Sequence, residues 1–303
     1  MKKVILVTGA NGMLAKQLGS VLENEYTVRF LTRKKTKENE YLWDIDKGFI
    51  DPEALVGVHT IIHLAGTSIA SNRWSNKTKD LILSSRVESS ELLLKELQKH
   101  QIKIETFISA SATGFYGTKT TSEIFTEESP NGSDFLSEVC LKWENSANSF
   151  LLKNIAKRVV TVRTGIIFSK NEGALKKISN PIKYGVGSAL GTGNQYAPWI
   201  HIHDLVKMYK FILEEEKCTG PINAVSPHQI TNLELTKEIA KTLHKTLFLP
   251  KIPAFILKLL FGEMSLILLE GSQVSPAKIM DYGFTFDYEN LSDALKNLFL
   301  ETK

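Results

Sequence analysis

Cysteine is scarce in this 303-residue chain, with Cys140 and Cys218 the only two. Two thiols that far apart in sequence make neither a disulfide framework nor a metal knuckle, and such usage suits a reducing cytoplasm. A long apolar run is also missing. The most apolar stretch, residues 253–261 and then 264–269, is interrupted by Lys258, Gly262 and Glu263. It falls short of the roughly 20 residues a spanning helix needs, so two short helices beside a substrate cleft are expected there, and no membrane contact. Nor is charge of one sign concentrated: 37 Lys and Arg against 33 Asp and Glu leave a net +4 of mostly scattered lysines. That balance gives no reason to expect a nucleic-acid partner. Internal repeats and low-complexity segments are absent, and the first apolar run begins so early that no secretory signal is expected before it. Hydrophobic residues at 43% and charged residues at 23% are ordinary for a soluble globular protein. The length suits one large α/β domain, or a nucleotide domain with a smaller companion.

What is present is concentrated at the N-terminus. Val4-Ile5-Leu6-Val7-Thr8 is a short apolar run, followed at once by Gly9-Ala10-Asn11-Gly12-Met13-Leu14-Ala15 and a helix-compatible stretch. A buried parallel strand, a glycine turn and a helix start in that order form a pyrophosphate cradle. Gly9 permits the tight turn, Gly12 the close approach of backbone to phosphate, and Ala15 close helix–strand packing. The helix N-terminus adds free N–H groups and a positive dipole end. Thr8, Gly9, Asn11, Gly12, Met13 and Leu14 are the expected cofactor contacts here.

Farther along, strand-like segments at 4–7, 27–31, 60–64, 105–109 and 158–162 alternate with helical ones, notably 77–99 and a helix from about Asp134 to Leu152. This alternation predicts an α/β fold, a Rossmann doubly wound parallel sheet with helices on both faces. Beyond Arg163 the pattern loosens into a glycine-rich region, then a strand-like 199–203, a helix from Asp204 and a strand at 221–225. The expected division is a cofactor domain over 1–225, with a substrate-facing loop insertion at 171–198, and a small C-terminal α/β lobe over 226–303 acting at the substrate as a lid.

The second strand selects the dinucleotide. An Asp or Glu at its end holds the ribose 2′-hydroxyl of NAD, but here it ends Leu31-Thr32-Arg33-Lys34. A guanidinium pairs bidentately with a 2′-phosphate and an ammonium adds a point charge, so Arg33 and Lys34 predict NADP(H). Asp44, after the third strand, is expected where an adenine amine can be contacted.

These residues, together with His63-Leu64-Ala65-Gly66, Ser84-Ser85-Arg86, Ser109-Ala110-Ser111-Ala112-Thr113-Gly114-Phe115-Tyr116-Gly117, Lys142-Trp143-Glu144, Arg163-Thr164-Gly165 and Trp199-Ile200-His201-Ile202-His203-Asp204, resemble the extended short-chain dehydrogenase/reductase superfamily. The nearest likeness is to its YfcH-like epimerase family, whose members carry a C-terminal domain of unknown function. The resemblance implies that Ala65 and Gly66 flank the nicotinamide side of the cofactor, with Leu64 and Ser109 in the cofactor set; Arg86, on the helix face that looks toward the cofactor, joins that set as a candidate for a nucleotide or substrate contact. It implies that Ser111, just past its strand, is the catalytic serine. The superfamily's acid/base is a tyrosine with a lysine four residues on, because a phenol near pKa 10 needs a neighbouring cation to ionise near neutrality. Where that motif should open a helix stand Phe135-Leu136-Ser137-Glu138-Val139, and none of the eight tyrosines has a lysine four positions on. Three explanations stay open. Tyr116 supplies the hydroxyl, with Lys142 as its cation; or Ser111, His201 or a substrate-bound water is a sufficient proton donor; or the chain binds NADP(H) without turnover.

Among other constellations, His201 and His203 would share one face of a strand, yet no third ligand accompanies them and no metal is expected. His201, with Trp199, is instead a substrate-side candidate. Arg163 either reaches a substrate anion or ties its strand to a neighbour. His63 reads as a satisfied core histidine, and Cys140 as a packed thiol without an activating partner. The expected function is an oxidoreductase or epimerase-like activity on a small hydroxyl or carbonyl compound, in a monomer or homodimer. The alternative is a non-catalytic NADP(H)-binding regulator or sensor, the class to which relatives labelled with cell-division roles belong.

Overall fold

Apolar β-branched runs bounded by glycine turns and amphipathic helices build the first half. The computed structural model describes residues 2–70, 72–170 and 172–300. Val4–Thr8 (β1) leads through the glycine turn into Met13–Leu22 (α1), and Thr27–Thr32 (β2), Glu40–Asp44 (β3) and the short Phe49–Ile50 (β4) follow. Val58–His63 (β5), Asn76–Lys99 (α2) and Ile104–Ala112 (β6) complete the first set. Ser75 caps α2 by accepting the Thr78 N–H, which is why that helix starts where it does. Ile124–Phe125 (β7) precedes Phe135–Leu152 (α3), which Asp134 caps through the Ser137 N–H.

Ala156–Thr164 (β8) and Ile166–Phe168 (β9) are followed by Gly173–Lys183 (α4), then Trp199–His201 (β10), Ile202–Glu214 (α5) and Gly220–Ala224 (β11). The C-terminal lobe holds Asn232–Thr242 (α6), Ala254–Phe261 (α7), Leu266–Leu269 (α8), Gln273–Val274 (β12), Ala277–Asp281 (α9) and Leu291–Phe299 (α10). A reciprocal capping box between Thr231 and Glu234 opens α6.

Eight strands form one sheet in the order β11-β8-β6-β5-β1-β2-β3-β4, parallel throughout except for the β3–β4 edge. β1 pairs with β2 on one side and β5 on the other, so the connections diverge there. The carboxyl ends of β1 and β5 lie at this switch point, the place where open α/β sheets bind ligands in a crevice. One apolar core lies between the sheet and α1 and α5, and a second between the sheet and α2 and α3.

Four expectations are corrected. The 171–198 stretch, whose first residue lies outside the described set, is not a plain loop: it carries α4, whose Leu175 and Ile182 share a core with Leu235 and Ile239 of α6 and Leu295 of α10. β10 stops at His201, because the His201 ring Nδ1 accepts the His203 N–H and starts α5 at Ile202. His203 and Asp204 are therefore helical, and the helix expected from Asp204 begins two residues earlier. Ser111 lies inside β6 rather than past it.

Candidate functional site

The turn between β1 and α1 tolerates little but glycine at its first position. Gly9 has φ +73°, and a Cβ there would stand 3.0 Å from the Leu64 carbonyl oxygen. Its own carbonyl accepts the Gly12 N–H at 2.8 Å. No side chain caps α1, so the N–H groups of Met13 and Leu14 face outward for an outside acceptor. Asn11 is exposed, while Met13 and Leu14 pack their apolar portions against the core. Ala15 is buried, and one turn on Gly19 meets the tip of the Phe30 ring, where an added Cβ would stand 2.5 Å from Cζ, a close approach the fingerprint did not identify.

Thr8 holds this turn to the end of β5. Its Oγ1 accepts the N–H groups of Leu64 and Ala65 at 2.9 and 3.0 Å, which leaves its own proton for His63 Nδ1 at 3.0 Å. His63 then donates from Nε2 to Ser89 Oγ at 3.1 Å. Burial pushes the His63 pKa down to about 4, so the ring is neutral. The Thr8 hydroxyl is thus saturated by the protein. Ser109 is likewise enclosed, its hydroxyl donating to the Ala110 carbonyl.

On the other flank, Arg33 and Lys34 are exposed just past β2, and their side-chain cations meet no carboxylate among the described residues. Of the two acids that follow, Glu38 is exposed, and Glu40, the first residue of β3, is buried and committed. Its Oε2 accepts Thr36 N, Thr36 Oγ1 and Lys37 N at 2.6, 2.9 and 3.1 Å. Burial alone would raise its pKa, but these bonds outweigh that and lower it, keeping the carboxylate ionised. Asp44 ends β3 and closes its own turn, bridging Lys47 at 2.9 Å and accepting the Lys47 N–H.

Gly66 lies under Arg86, whose Cζ a Cβ at residue 66 would approach to 3.1 Å. The Arg86 guanidinium stacks over Trp143 of α3, 5.0 Å from its ring centroid.

At the end of β6 the sequence-selected residues enter a buried polar network. Ser111 Oγ donates to Glu144 Oε1 at 2.7 Å, and Glu144 takes Arg163 bidentately through Nε and Nη2, both at 2.8 Å. Burial works against the Arg163 charge, but the Glu144 bonds outweigh it and hold its proton more firmly than usual. Arg163 also donates to the Tyr116 oxygen at 3.1 Å, and Tyr116 donates to Asn223 Oδ1 at 2.6 Å. Asn223 Nδ2 continues to the Ser275 carbonyl. Tyr116 is 1% exposed, and burial pushes its pKa up to about 12. It is a core phenol with both hydrogen-bonding roles filled, which removes it as the acid/base. Lys142 is no substitute cation, since it sits on the exposed side of α3 paired with Glu138 at 2.6 Å. Arg163 ties β8 to α3 and does not reach the crevice. Sequence reading missed Glu144 as a site residue. Its signal was a carboxylate on the helical stripe Val139, Cys140, Trp143, Ala147 and Phe150, all buried.

The remaining substrate-side candidates are corrected in the same way. Trp199 is fully buried, stacked on Phe168, with its indole donating to the His228 carbonyl. His201 is 3% exposed, caps α5 and packs on Tyr288, and burial followed by the neighbouring His203 lowers its pKa to about 4. His203 points elsewhere, to Asp287 at 2.9 Å. Asp204 is buried and accepts the N–H groups of Asp287 and Tyr288, tying α5 to the C-terminal segment. Among the described residues no group of three His, Cys, Asp or Glu is placed to hold a metal.

The model of the NAD dependent epimerase/dehydratase family matches residues 5–224, and a domain of unknown function, DUF1731, matches 252–298. The chain belongs to the NAD dependent epimerase/dehydratase family. Among its members, the epimerase family protein YfhF of Bacillus subtilis is 33% identical and covers 99% of each chain. The chloroplastic SDR39U1 homologue of Arabidopsis thaliana is also 33% identical, over 96% of this chain and 85% of that protein. The crystal structure of human epimerase family protein SDR39U1 (isoform 2) with NADPH superposes with a TM-score of 0.87 at 28% identity, covering 97% of this chain and 98% of that one. The expected Rossmann fold and extended-reductase kinship, with its additional C-terminal domain, therefore hold. No described helix of this family member is long and apolar enough to cross a membrane.

Proposed function

We propose that this epimerase-family chain binds NADP(H) in the crevice between β1 and β5 and acts there on a small hydroxyl or carbonyl compound. The carrying observation is the end of β2, where Arg33 and Lys34 stand exposed beside a turn that requires Gly9 and pair with no carboxylate among the described residues, while Glu40 at the start of β3 is held by Thr36 and Lys37. The NADPH-bound human relative supports the same assignment. Gly9, Gly12, Met13 and Leu14 would hold the pyrophosphate, Arg33 and Lys34 the 2′-phosphate, and Leu64, Ala65 and Gly66 the nicotinamide side. Thr8 and Ser109 act as positioning residues, since their hydroxyls are spent within the protein. The bound dinucleotide supplies hydride chemistry at its nicotinamide. Ser111 is the candidate catalytic hydroxyl. With its proton committed to Glu144 and the Cys140 thiol against it, Ser111 has acceptor capacity left but no proton to give, so it orients a substrate hydroxyl rather than donating to a carbonyl. Residues 1–225 form the cofactor unit and 226–303 the lid over the substrate.

One observation favours a second reading. The missing Tyr-x-x-x-Lys pair is not replaced by Tyr116, which the network locks. In that case the chain binds NADP(H) as a regulator without turnover. Titrating NADPH and NADH, then following NADPH oxidation and NADP⁺ reduction across a carbonyl and alcohol panel, separates the cases. Tight NADPH binding with Ser111-dependent turnover supports the enzyme, tight binding with no turnover supports the regulator, and no NADPH binding overturns both.

A further inference from the structure

Helix α2 carries a guanidinium to the crevice floor without a counter-charge. Of the five N–H donors of Arg86, one is used among the described residues, Nη1 donating to the Ile82 carbonyl at 2.8 Å. No Asp or Glu is among the charges that act on it; its neighbouring ionisable groups are the Cys140 thiol and the neutral His63 ring. That thiol is no anion, because burial pushes its pKa up to about 12. The carboxylate that shares Cys140 as a neighbour, Glu144, is already taken bidentately by Arg163. The Trp143 ring under Arg86 buries an indole N–H with no acceptor among the described residues. The crevice floor thus gathers donors and positive charge and supplies no matching acceptor. Arg86 is half-buried, and a guanidinium partly withdrawn from water with most of its donors unspent favours a ligand that brings the missing sign.

The place of Arg86 separates it from the cofactor phosphates. Its contacts are Gly66, past the end of β5, and Trp143 and Cys140 on α3, which faces Ser111 at the end of β6. The pyrophosphate turn and Arg33 lie on β1 and β2, on the other side of β5 in the sheet order. We propose that Arg86 anchors an oxyanion carried by the substrate, so that the compound handled in this crevice is a small hydroxyl or carbonyl compound bearing a carboxylate or phosphate. The planar fork of the guanidinium suits either group bidentately. This inference rests on the reading of the crevice as the reaction site.

The test uses oxamate and inorganic phosphate as probes, each titrated into the full chain with and without saturating NADPH, on wild type, Arg86→Met and Arg86→Lys. Met keeps the apolar stem on Trp143 and removes the charge; Lys keeps the charge and loses the fork. Wild type is expected to bind at least one probe, and which one distinguishes carboxylate from phosphate. Arg86→Met is expected to weaken that probe by about tenfold or more and NADPH by less than about twofold, with Arg86→Lys between the two. If Arg86→Met melts well below wild type, Arg86→Lys decides. Failure of both probes on NADPH-loaded wild type overturns the proposal, as does unchanged probe affinity in the variants. A tenfold loss of NADPH affinity with probe binding intact, by roughly the same arithmetic, also overturns it by assigning Arg86 to the cofactor. Wild type that binds a probe through Arg86 yet not NADPH would sustain the anion site and overturn the proposed function instead.

Discussion

Replacing Glu144 with glutamine tests the network that fixes the end of β6. Glu144 and Arg163 expose only 8% and 4% of their side chains, and the carboxylate accepts three bonds, from Ser111 Oγ, Arg163 Nε and Arg163 Nη2. Glutamine has the same shape but one acceptor oxygen, and its amide would set a donor against an Arg163 donor. The guanidinium would then be buried without its bidentate partner, with Glu127 the remaining nearby acid. Breaking a buried pair from one side costs about 3–5 kcal/mol. For a chain of this length the unfolding entropy near the midpoint is about 0.6 kcal/mol per kelvin, so the melting temperature should fall by roughly 5–8 °C. Differential scanning calorimetry at pH 7 reads this directly. The companion Glu144→Leu/Arg163→Met double variant, which removes both charges, should recover most of the loss, because an apolar pair carries no desolvation debt. A fall of less than about 2 °C for Glu144→Gln, by the same entropy, would refute the claim that this pair organises the site.

Gly9→Ala should abolish measurable NADPH binding in a fluorescence titration and lower stability by about 1–3 kcal/mol, since φ +73° and the Leu64 carbonyl at 3.0 Å both oppose a Cβ. Tyr116→Phe should lower stability by about 1–2 kcal/mol through the lost Asn223 and Arg163 bonds while leaving NADPH affinity unchanged; a selective loss of turnover would restore Tyr116 as a catalytic candidate. The pH dependence of stability has a defined sign. His63 and His201 have folded pKa values of about 4 against an ordinary 6.5, so the unfolded chain takes up protons first as pH falls. Their contribution is complete above pH 6.5 and is lost toward pH 4, by about 2 kcal/mol for each at pH 5. Urea unfolding at pH 7 and pH 5 checks it, and His63→Gln should flatten the slope. Arg33→Ala with Lys34→Ala should weaken NADPH by about tenfold or more and leave NADH within about twofold, as removal of a phosphate partner requires.

The cradle was legible because its determinants are local. Strand, glycine turn and helix start lie within fifteen residues, and the turn shows in the residue types themselves even though the Leu64 carbonyl that crowds Gly9 comes from β5's far end. The basic end of β2 was legible for the same reason. What sequence missed depends on partners far along the chain. Tyr116 looked available until Asn223, 107 residues on, accepted its proton. His201 and His203 looked like a strand pair, but one imidazole capping the next helix changed the geometry of both. Arg163 was read correctly as one of two possibilities, a tie between elements, yet its partner is helix α3 and not a neighbouring strand. Composition does not distinguish a buried polar side chain that is structural from one that is chemical, because both sit beside the same motifs. Only the hydrogen-bond inventory separates Tyr116, with no capacity left, from Arg86, with most of its donors unspent.

The account turns on which dinucleotide the crevice prefers. Dissociation constants for NADPH and NADH, measured by fluorescence titration on the wild-type chain at physiological ionic strength, test this most directly. A 2′-phosphate meeting Arg33 and Lys34 should make NADPH tighter by about tenfold or more, the worth of a charge-assisted hydrogen bond. Equal affinity for the two would contradict the account.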